Sequence, residues 1–275
     1  MADRFTLKEI RERTYKNRDA WWTVWLVDPL ASRLVWLVSP VRWVTPNILT
    51  FTAFLLGLGS AACFAQGDRG WLIAGAAIFH LSFVLDCMDG KIARLNGTGS
   101  AFGSWLDYVF DRLRVTVCAV ALMGGQYSRT DDFIYIWLAG VVVFLDMFRY
   151  LNHLQMDRVW KYLRLAITGS PDPVETPEAG QQRVGPSYGP FGPVRAFLIS
   201  HRIRVHLFSG IEFQMFIFIV GPVIDQIVIV TIVSGVLMTM FELVLIAGLY
   251  RASHRLQPTL NELSAAAALD QPELD

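Results

Sequence analysis

The chain has 275 residues, 53% of them apolar and 17% charged, with 24 basic side chains against 24 acidic ones. Its mean hydropathy is +0.40. So small a charged fraction, with apolar runs approaching the roughly 20 residues that cross about 30 Å of hydrocarbon, excludes an ordinary soluble α/β domain and indicates an integral membrane protein.

Residues 1–45 read as a cytoplasmic N-terminus and an interfacial helix. The opening "MADRFTLKEIRERTYKNRD" is too charged for a cleavable signal peptide, and "AWWTVWLVDPLASRLVWLVSPVRWV" is interrupted by Asp28, Pro29, Arg33, Pro40 and Arg42. Trp21, Trp22, Trp25, Trp36 and Trp43 suit the headgroup boundary, and the arginines suit an anionic cytoplasmic leaflet. A helix packed on the bundle is the competing reading.

Six transmembrane helices are expected near residues 46–66, 71–90, 105–125, 132–152, 207–227 and 228–250, each bounded by Gly, Pro or charge. Strands are not expected, because backbone groups in lipid must be satisfied within each segment and no barrel-like alternation occurs. The fold class is therefore all-α and polytopic, with one domain over 46–250. The stretch 168–193, "TGSPDPVETPEAGQQRVGPSYGPFGP", reads as a flexible cytoplasmic loop, and 251–275 as a poorly ordered cytoplasmic tail. The short connections after spans one and three carry only Arg69 and Arg129, and the hairpin after span five carries neither Lys nor Arg. Those connections face outward, which leaves both termini and the 91–104 loop on the cytoplasmic side of a cell membrane. Cys63, Cys87 and Cys118 are odd in number and lie in or at the ends of spans, which suits core thiols and no disulfide framework. No internal repeat, phosphate-binding glycine loop or nucleic-acid-binding motif occurs.

Within this apolar chain, "LDCMDGKIARLNGTGSAFGSWLDYVFD" carries Asp86, Asp89, Asp107 and Asp111. The spacings i, i+3 and i, i+4 put each pair on one helix face near the same cytoplasmic edge, so the four can converge. A charged aspartate at a span centre costs about 2.5–3.5 kcal/mol, and something must offset four of them. Pairing with Lys91, Arg94, Arg112 and Arg114 would do so, but pairing does not favour the small residues Gly90, Ala93 and Gly103, which leave a groove beside the helices. Two divalent cations would also neutralise four carboxylates, and Mg²⁺ shares its remaining positions with substrate phosphates.

The pattern Asp86-x2-Asp89-Gly90-x2-Ala93-Arg94-x8-Gly103-x3-Asp107-x3-Asp111 resembles the full signature of the CDP-alcohol phosphotransferases. "TPNILT" resembles the start of that family's first helix, and the resemblance covers about residues 40–250. It implies a membrane enzyme of phospholipid synthesis, working as a homodimer in the bilayer. Two Mg²⁺ or Mn²⁺ ions on Asp86, Asp89, Asp107 and Asp111 would clamp a CDP-linked lipid donor such as CDP-diacylglycerol. Asp111 would act as the base for the acceptor hydroxyl, with CMP leaving. Asn47, Thr50, Gly90, Arg94 and Gly103 would line the nucleotide position, while His80 and Glu242 read as buried hydrogen-bonding residues between helices.

The family accepts several small polar alcohols and some lipids. Arg149, Arg195, Arg202 and Arg204 are expected to form a positive pocket for a phosphorylated polyol such as inositol phosphate or glycerol phosphate, since Arg pairs with phosphate through two parallel hydrogen bonds. A basic interfacial helix holding anionic lipid is the competing reading, and inositol, serine, an amino alcohol or a lipid are the alternative acceptors. A membrane prenyltransferase also binds diphosphate on aspartate-rich helices, but with its motifs far apart; a cation carrier would use the same carboxylates without releasing CMP.

Overall fold

The protein is described here from a computed structural model, which describes residues 5–41, 43–168 and 192–269. Helix α1, Leu7–Thr14, starts at a capping box in which Thr6 and Glu9 each satisfy the other's backbone N–H. A wide turn over Thr23–Val27 runs into α2, Asp28–Val38, with Pro29 in its first turn. The next three helices are α3, Pro46–Gln66, α4, Arg69–Asn96, and α5, Ala101–Thr130, whose N-caps Thr45, Asp68 and Ser100 each accept a backbone N–H. Then come α6, Ile134–Thr168, and α7, Gly192–Ser200. The last group is α8, Gly210–Met215, a wide turn over Phe216–Val220, α9, Gly221–Ile224, and α10, Ile227–Leu269. Apart from an isolated bridge between Asp19 and Ile203, the described residues contain no strand pairing.

Four helical segments are long and apolar enough to cross a membrane: Pro46–Gln66, Arg69–Asn96, Ile134–Leu165 and Ile227–Pro258. They coincide with four of the six expected spans. The other two differ for identifiable reasons. Helix α5 has the length, but Asp107, Asp111, Arg112, Arg114 and Arg129 make it too polar to qualify. The expected 207–227 span is a helical run over Gly210–Ile224, shorter than a full crossing. Two boundaries also move. Helix α6 continues to Thr168 rather than stopping near 152, and α10 continues to Leu269, through Pro258 and an alanine-rich end of high helix propensity, where a poorly ordered tail was expected. Most of the expected 168–193 loop, residues 169–191, lies outside the described residues.

The chain divides into two compact units, Met1–Met147 with Pro193–Met238, and Phe148–Gly192 with Thr239–Asp275. In the first, α3 packs on α4 and α5 around Ala53, Phe64, Phe79, Cys118 and Leu122, all fully buried. The short connections lie together at one end: Arg69 pairs with Asp225 at 3.6 Å, and Gln126 Nε2 donates to the Gly67 carbonyl at 2.7 Å. Gly67 has φ +74° with Gly125 O against it, a position only glycine fills without strain. Asp86 lies 17 residues beyond Arg69 on the same helix, roughly 26 Å along its axis at 1.5 Å per residue. The carboxylates are thus at the opposite end.

Helix α2 packs on α4 with Ala31, Ser32 and Val35 buried, while Trp25 and Leu26 of the preceding turn and Leu30 and Leu37 point outward. Asp28, read from sequence as an interruption, is buried and pairs with Lys91 at 2.7 Å and Arg202 at 3.1 Å. In the second unit, Glu242 is buried, accepts from Asn152 Nδ2 at 2.6 Å and pairs with Arg149 at 3.2 Å.

Candidate active site

The site is assembled where the end of α4 meets the beginning of α5. Gly97, at φ +63°, ends α4, and Ser100 caps α5 by accepting Gly103 N–H at 3.0 Å, so the chain reverses and sets the two aspartate pairs side by side. Asp86, Asp89 and Asp107 each place a carboxylate oxygen within 4.8 Å of the others. Two unit charges at that distance repel by roughly 3.5 kcal/mol at an effective dielectric of about 20, so the cluster calls for a cation or for protons.

The donor chemistry fits a hard divalent ion. All three ligand atoms are carboxylate oxygens, and Asp107 Oδ1 is buried with no hydrogen-bond partner. The surrounding contacts leave that oxygen available while fixing the others. Thr50 Oγ1 is hydrogen-bonded to Asp89 and lies 3.1 Å from the Pro46 carbonyl. Arg114 spans Asp86, at 3.3 Å, and Asp111, and its Nη1 donates to Ser82 Oγ at 3.2 Å. Arg112 approaches Asp111 at 3.8 Å and pairs with the buried Asp146, which also accepts from Gln214 Nε2 at 2.8 Å. Opposite charges therefore alternate from Asp146 through Arg112, Asp111 and Arg114 to Asp86.

Beside the carboxylates is an open cleft of about 80 Å³ lined by Asn47, Thr50, Asp89, Gly90, Gly103 and Asp107, among others. Its width depends on the glycines. A Cβ on Gly103 would lie 3.0 Å from both Asn47 Oδ1 and Ser100 Oγ, and one on Gly90 would meet the Arg94 guanidinium at 3.4 Å. The small-residue groove expected from sequence is therefore present, with Asn47 and Thr50 on its α3 wall.

The remaining residues singled out from sequence are placed as follows. Asp111 stands outside the three-carboxylate group, engaged by the two arginines. Arg94 donates through Nε to the Thr14 carbonyl at 3.1 Å. Lys91 serves Asp28 rather than the cluster. Charge pairing therefore accounts for Asp86 and Asp111 but leaves Asp89 and Asp107 without a basic partner among the ion pairs of the described residues. Among the four arginines expected around an acceptor, Arg149 pairs with Glu242, Arg202 with Asp28 and Arg204 with Asp19 at 3.5 Å, so three guanidinium groups already face carboxylates. Arg195 lies on α7.

Sequence reasoning missed Asp146 and Asp28. Asp146 sits in the apolar run "GVVVFLDMF", where an ionisable residue is itself a signal. Asp28 gave none, because its partners are 63 and 174 residues away.

Residues 43–173 match the family model for CDP-alcohol phosphatidyltransferase. An archaetidylinositol phosphate synthase of Methanothermobacter thermautotrophicus is 30% identical over 102 residues, 37% of this chain and 47% of that protein. A CDP-diacylglycerol–glycerol-3-phosphate 3-phosphatidyltransferase of Cereibacter sphaeroides is 32% identical over 109 residues, 39% of this chain and 48% of that protein. A phosphatidylinositol phosphate synthase of Corynebacterium glutamicum is 35% identical over 88 residues, 32% and 37% of the two chains. The chain thus spans about half the length, or less, of the curated relatives it matches.

Proposed function

From the premise that residues 43–173 belong to the CDP-alcohol phosphatidyltransferase family, we propose that this protein transfers a phosphatidyl-type group from a CDP-linked lipid to an acceptor hydroxyl and releases CMP. The observation that carries the reading is the convergence of Asp86, Asp89 and Asp107 beside a glycine-lined cleft.

Asp86, Asp89, Asp107 and Asp111 would hold two divalent ions, Mg²⁺ or Mn²⁺. When bound, such ions polarise the diphosphate and neutralise charge on the leaving nucleotide. The chain's own residues do the rest. Asn47, Thr50, Gly90 and Gly103 shape the wall against which the nucleotide lies. Arg114 and Arg112 orient Asp111, which accepts the proton of the acceptor hydroxyl. As it does so, the acceptor oxygen bonds to the lipid-side phosphorus and the bond from that phosphorus to CMP breaks. The acceptor is a phosphorylated polyol, inositol phosphate or glycerol phosphate; the similarity to inositol phosphate synthases and to a glycerol-3-phosphate phosphatidyltransferase supports this class. Arg202 and Arg204 would bring positive charge to its approach alongside Arg195, in part balanced by Asp28 and Asp19. Six spans, a site and termini on the cytoplasmic side, an interfacial role for the outward tryptophans and a homodimer complete the reading.

The test is CMP release by the purified full-length protein with CDP-diacylglycerol and Mg²⁺, comparing inositol phosphate, glycerol phosphate, inositol and serine. Release with a phosphorylated polyol and its abolition by EDTA are expected. Equal turnover of an unphosphorylated acceptor would move the assignment to the other alcohols, and no CMP with any acceptor would overturn the transfer reading.

A further inference from the structure

Asp86 and Asp111 already face a cation that the chain itself supplies. Arg114, on α5, is only 2% exposed and carries a charge that a protein interior does not remove. Its Nη1 lies 3.3 Å from Asp86 and donates to Ser82 Oγ at 3.2 Å, both on α4, and its Nη2 pairs with Asp111 three residues back on its own helix. The stem of the side chain runs across Gly57 of α3, where a Cβ would lie 2.6 Å from its Cγ, and the guanidinium carbon stands 5.9 Å from the centre of the Phe79 ring. Three helices therefore hold this guanidinium. Swinging it away would strip a permanent charge of its partners inside the protein.

The four aspartates are consequently not equivalent. Asp89 and Asp107 have no basic partner among the ion pairs of the described residues, and Asp107 Oδ1 is buried without a hydrogen bond. Together with Asp86 they present oxygens within 4.8 Å of one another. Asp111 stands outside that group and is approached by both Arg114 and Arg112. A divalent ion that draws on Asp111 must share the carboxylate with a guanidinium and bear the repulsion of a fixed positive charge.

We propose that Arg114 is a resident cation of the carboxylate site and makes its two ion positions unequal: Asp86, Asp89 and Asp107 hold one divalent ion by themselves, whereas the position that draws on Asp111 is kept at low affinity. Arg114 is thus a positioning residue, acting through Asp86 and Asp111. Its consequence rests on the phosphatidyl-transfer reading: the donor diphosphate brings the negative charge with which the weaker position fills.

Full-length protein in phosphatidylcholine nanodiscs is titrated with Mn²⁺ in the absence of any substrate, and free Mn²⁺ is read from its paramagnetic resonance signal. Wild type should bind one ion per chain, with a second at least about tenfold weaker. In Arg114→Gln, which removes the charge, the second ion should tighten to within about threefold of the first, and Arg114→Lys, which keeps the charge, should retain the gap. A merely structural role would weaken both ions instead of tightening one. Arg114→Met replaces Arg114→Gln if thermal melting shows that variant misfolded. A second ion no tighter in the neutral variant overturns the proposal, and two ions of equal affinity in wild type overturn it whatever the variants do. CDP is then added to wild type, with the Mn²⁺ that CDP binds in empty nanodiscs subtracted, and should bring the chain to two ions. No second ion with CDP, when the titrations without substrate are as expected, counts against the transfer reading and leaves the assignment of Arg114 standing.

Discussion

Asp111 is the residue whose surroundings bear most directly on the proposed chemistry. Held between Arg114 and Arg112, it keeps one orientation without being part of the three-carboxylate cluster, an arrangement that suits a base better than a sole ion ligand. Asp111→Asn keeps the shape and loses the proton acceptor, so CMP release should fall by about 100-fold or more while CDP binding persists; near-normal turnover would remove Asp111 from that role. Gly57 makes the same point through packing. A Cβ there would lie 2.6 Å from Cγ and 2.7 Å from Cδ of Arg114, whereas one on Gly59, two residues on, meets nothing within 4 Å. Overpacking of this kind costs about 1–3 kcal/mol, and here the neighbour that must move is the arginine joining Asp86 to Asp111. Gly57→Ala should lower both the melting temperature and CMP release, with Gly59→Ala unchanged in both; equal behaviour of the two variants would show that Arg114 tolerates displacement.

Helices in this protein are joined by buried ion pairs as well as by apolar contact. Asp146 on α6 holds Arg112 on α5, and both side chains are almost wholly buried. Removing one partner leaves the other charge uncompensated in a low-dielectric interior, at a cost of about 3–5 kcal/mol. Asp146→Ala is therefore expected to destabilise the protein by that amount in a thermal or denaturant melt. A double variant, Asp146→Leu with Arg112→Met, should recover much of the stability but not the activity, since Asp111 loses one of its two arginines. The clasp at Asp28 follows the same physics: Asp28→Ala should release the N-terminal segment, seen as faster amide exchange over residues 5–40 with exchange in α3 unchanged. Uniform exchange across both would place the loss in global stability instead.

For the molecule as a whole, the three short connections gather at one end and the carboxylates at the other, as both the Arg69–Asp225 pair and the Gln126–Gly67 hydrogen bond require. The proposed orientation, with those connections outside the cell, rests on their sparse Lys and Arg. A cysteine at Asp132, exposed beside α6, should react with an impermeant thiol reagent on intact cells, and one at Gly99, exposed in the turn between α4 and α5 with open space around it, should react only after permeabilisation. Gly67 is the wrong probe position, because its left-handed backbone and the Gly125 carbonyl leave no room for a side chain. Labelling in the reverse order would put the cleft on the outer face and remove it from a cytoplasmic CDP-lipid.

By itself the sequence determined what local spacing and composition can carry. The i, i+3 and i, i+4 aspartates and the small residues at Gly90 and Gly103 lie within the single stretch Asp86–Asp111, so helix periodicity sets each pair on one face beside the turn between α4 and α5, and the caps Thr45, Asp68 and Ser100 mark where three helices begin. Legible on the same ground were the apolar cores of four crossings and the walls of the cleft. Tertiary structure decided how the charges are shared. Whether an arginine faces substrate, lipid or a buried carboxylate depends on partners such as Asp28 and Arg202, 174 residues apart, whose meeting follows from helix packing and leaves no periodicity to read. The same holds for α10, which persists to Leu269, and for the Lys16 carbonyl, which Arg202 reaches across 186 residues. Short-range geometry is written in the order of residues, whereas long-range electrostatic pairing is settled only when packing excludes water and each buried charge must find its opposite.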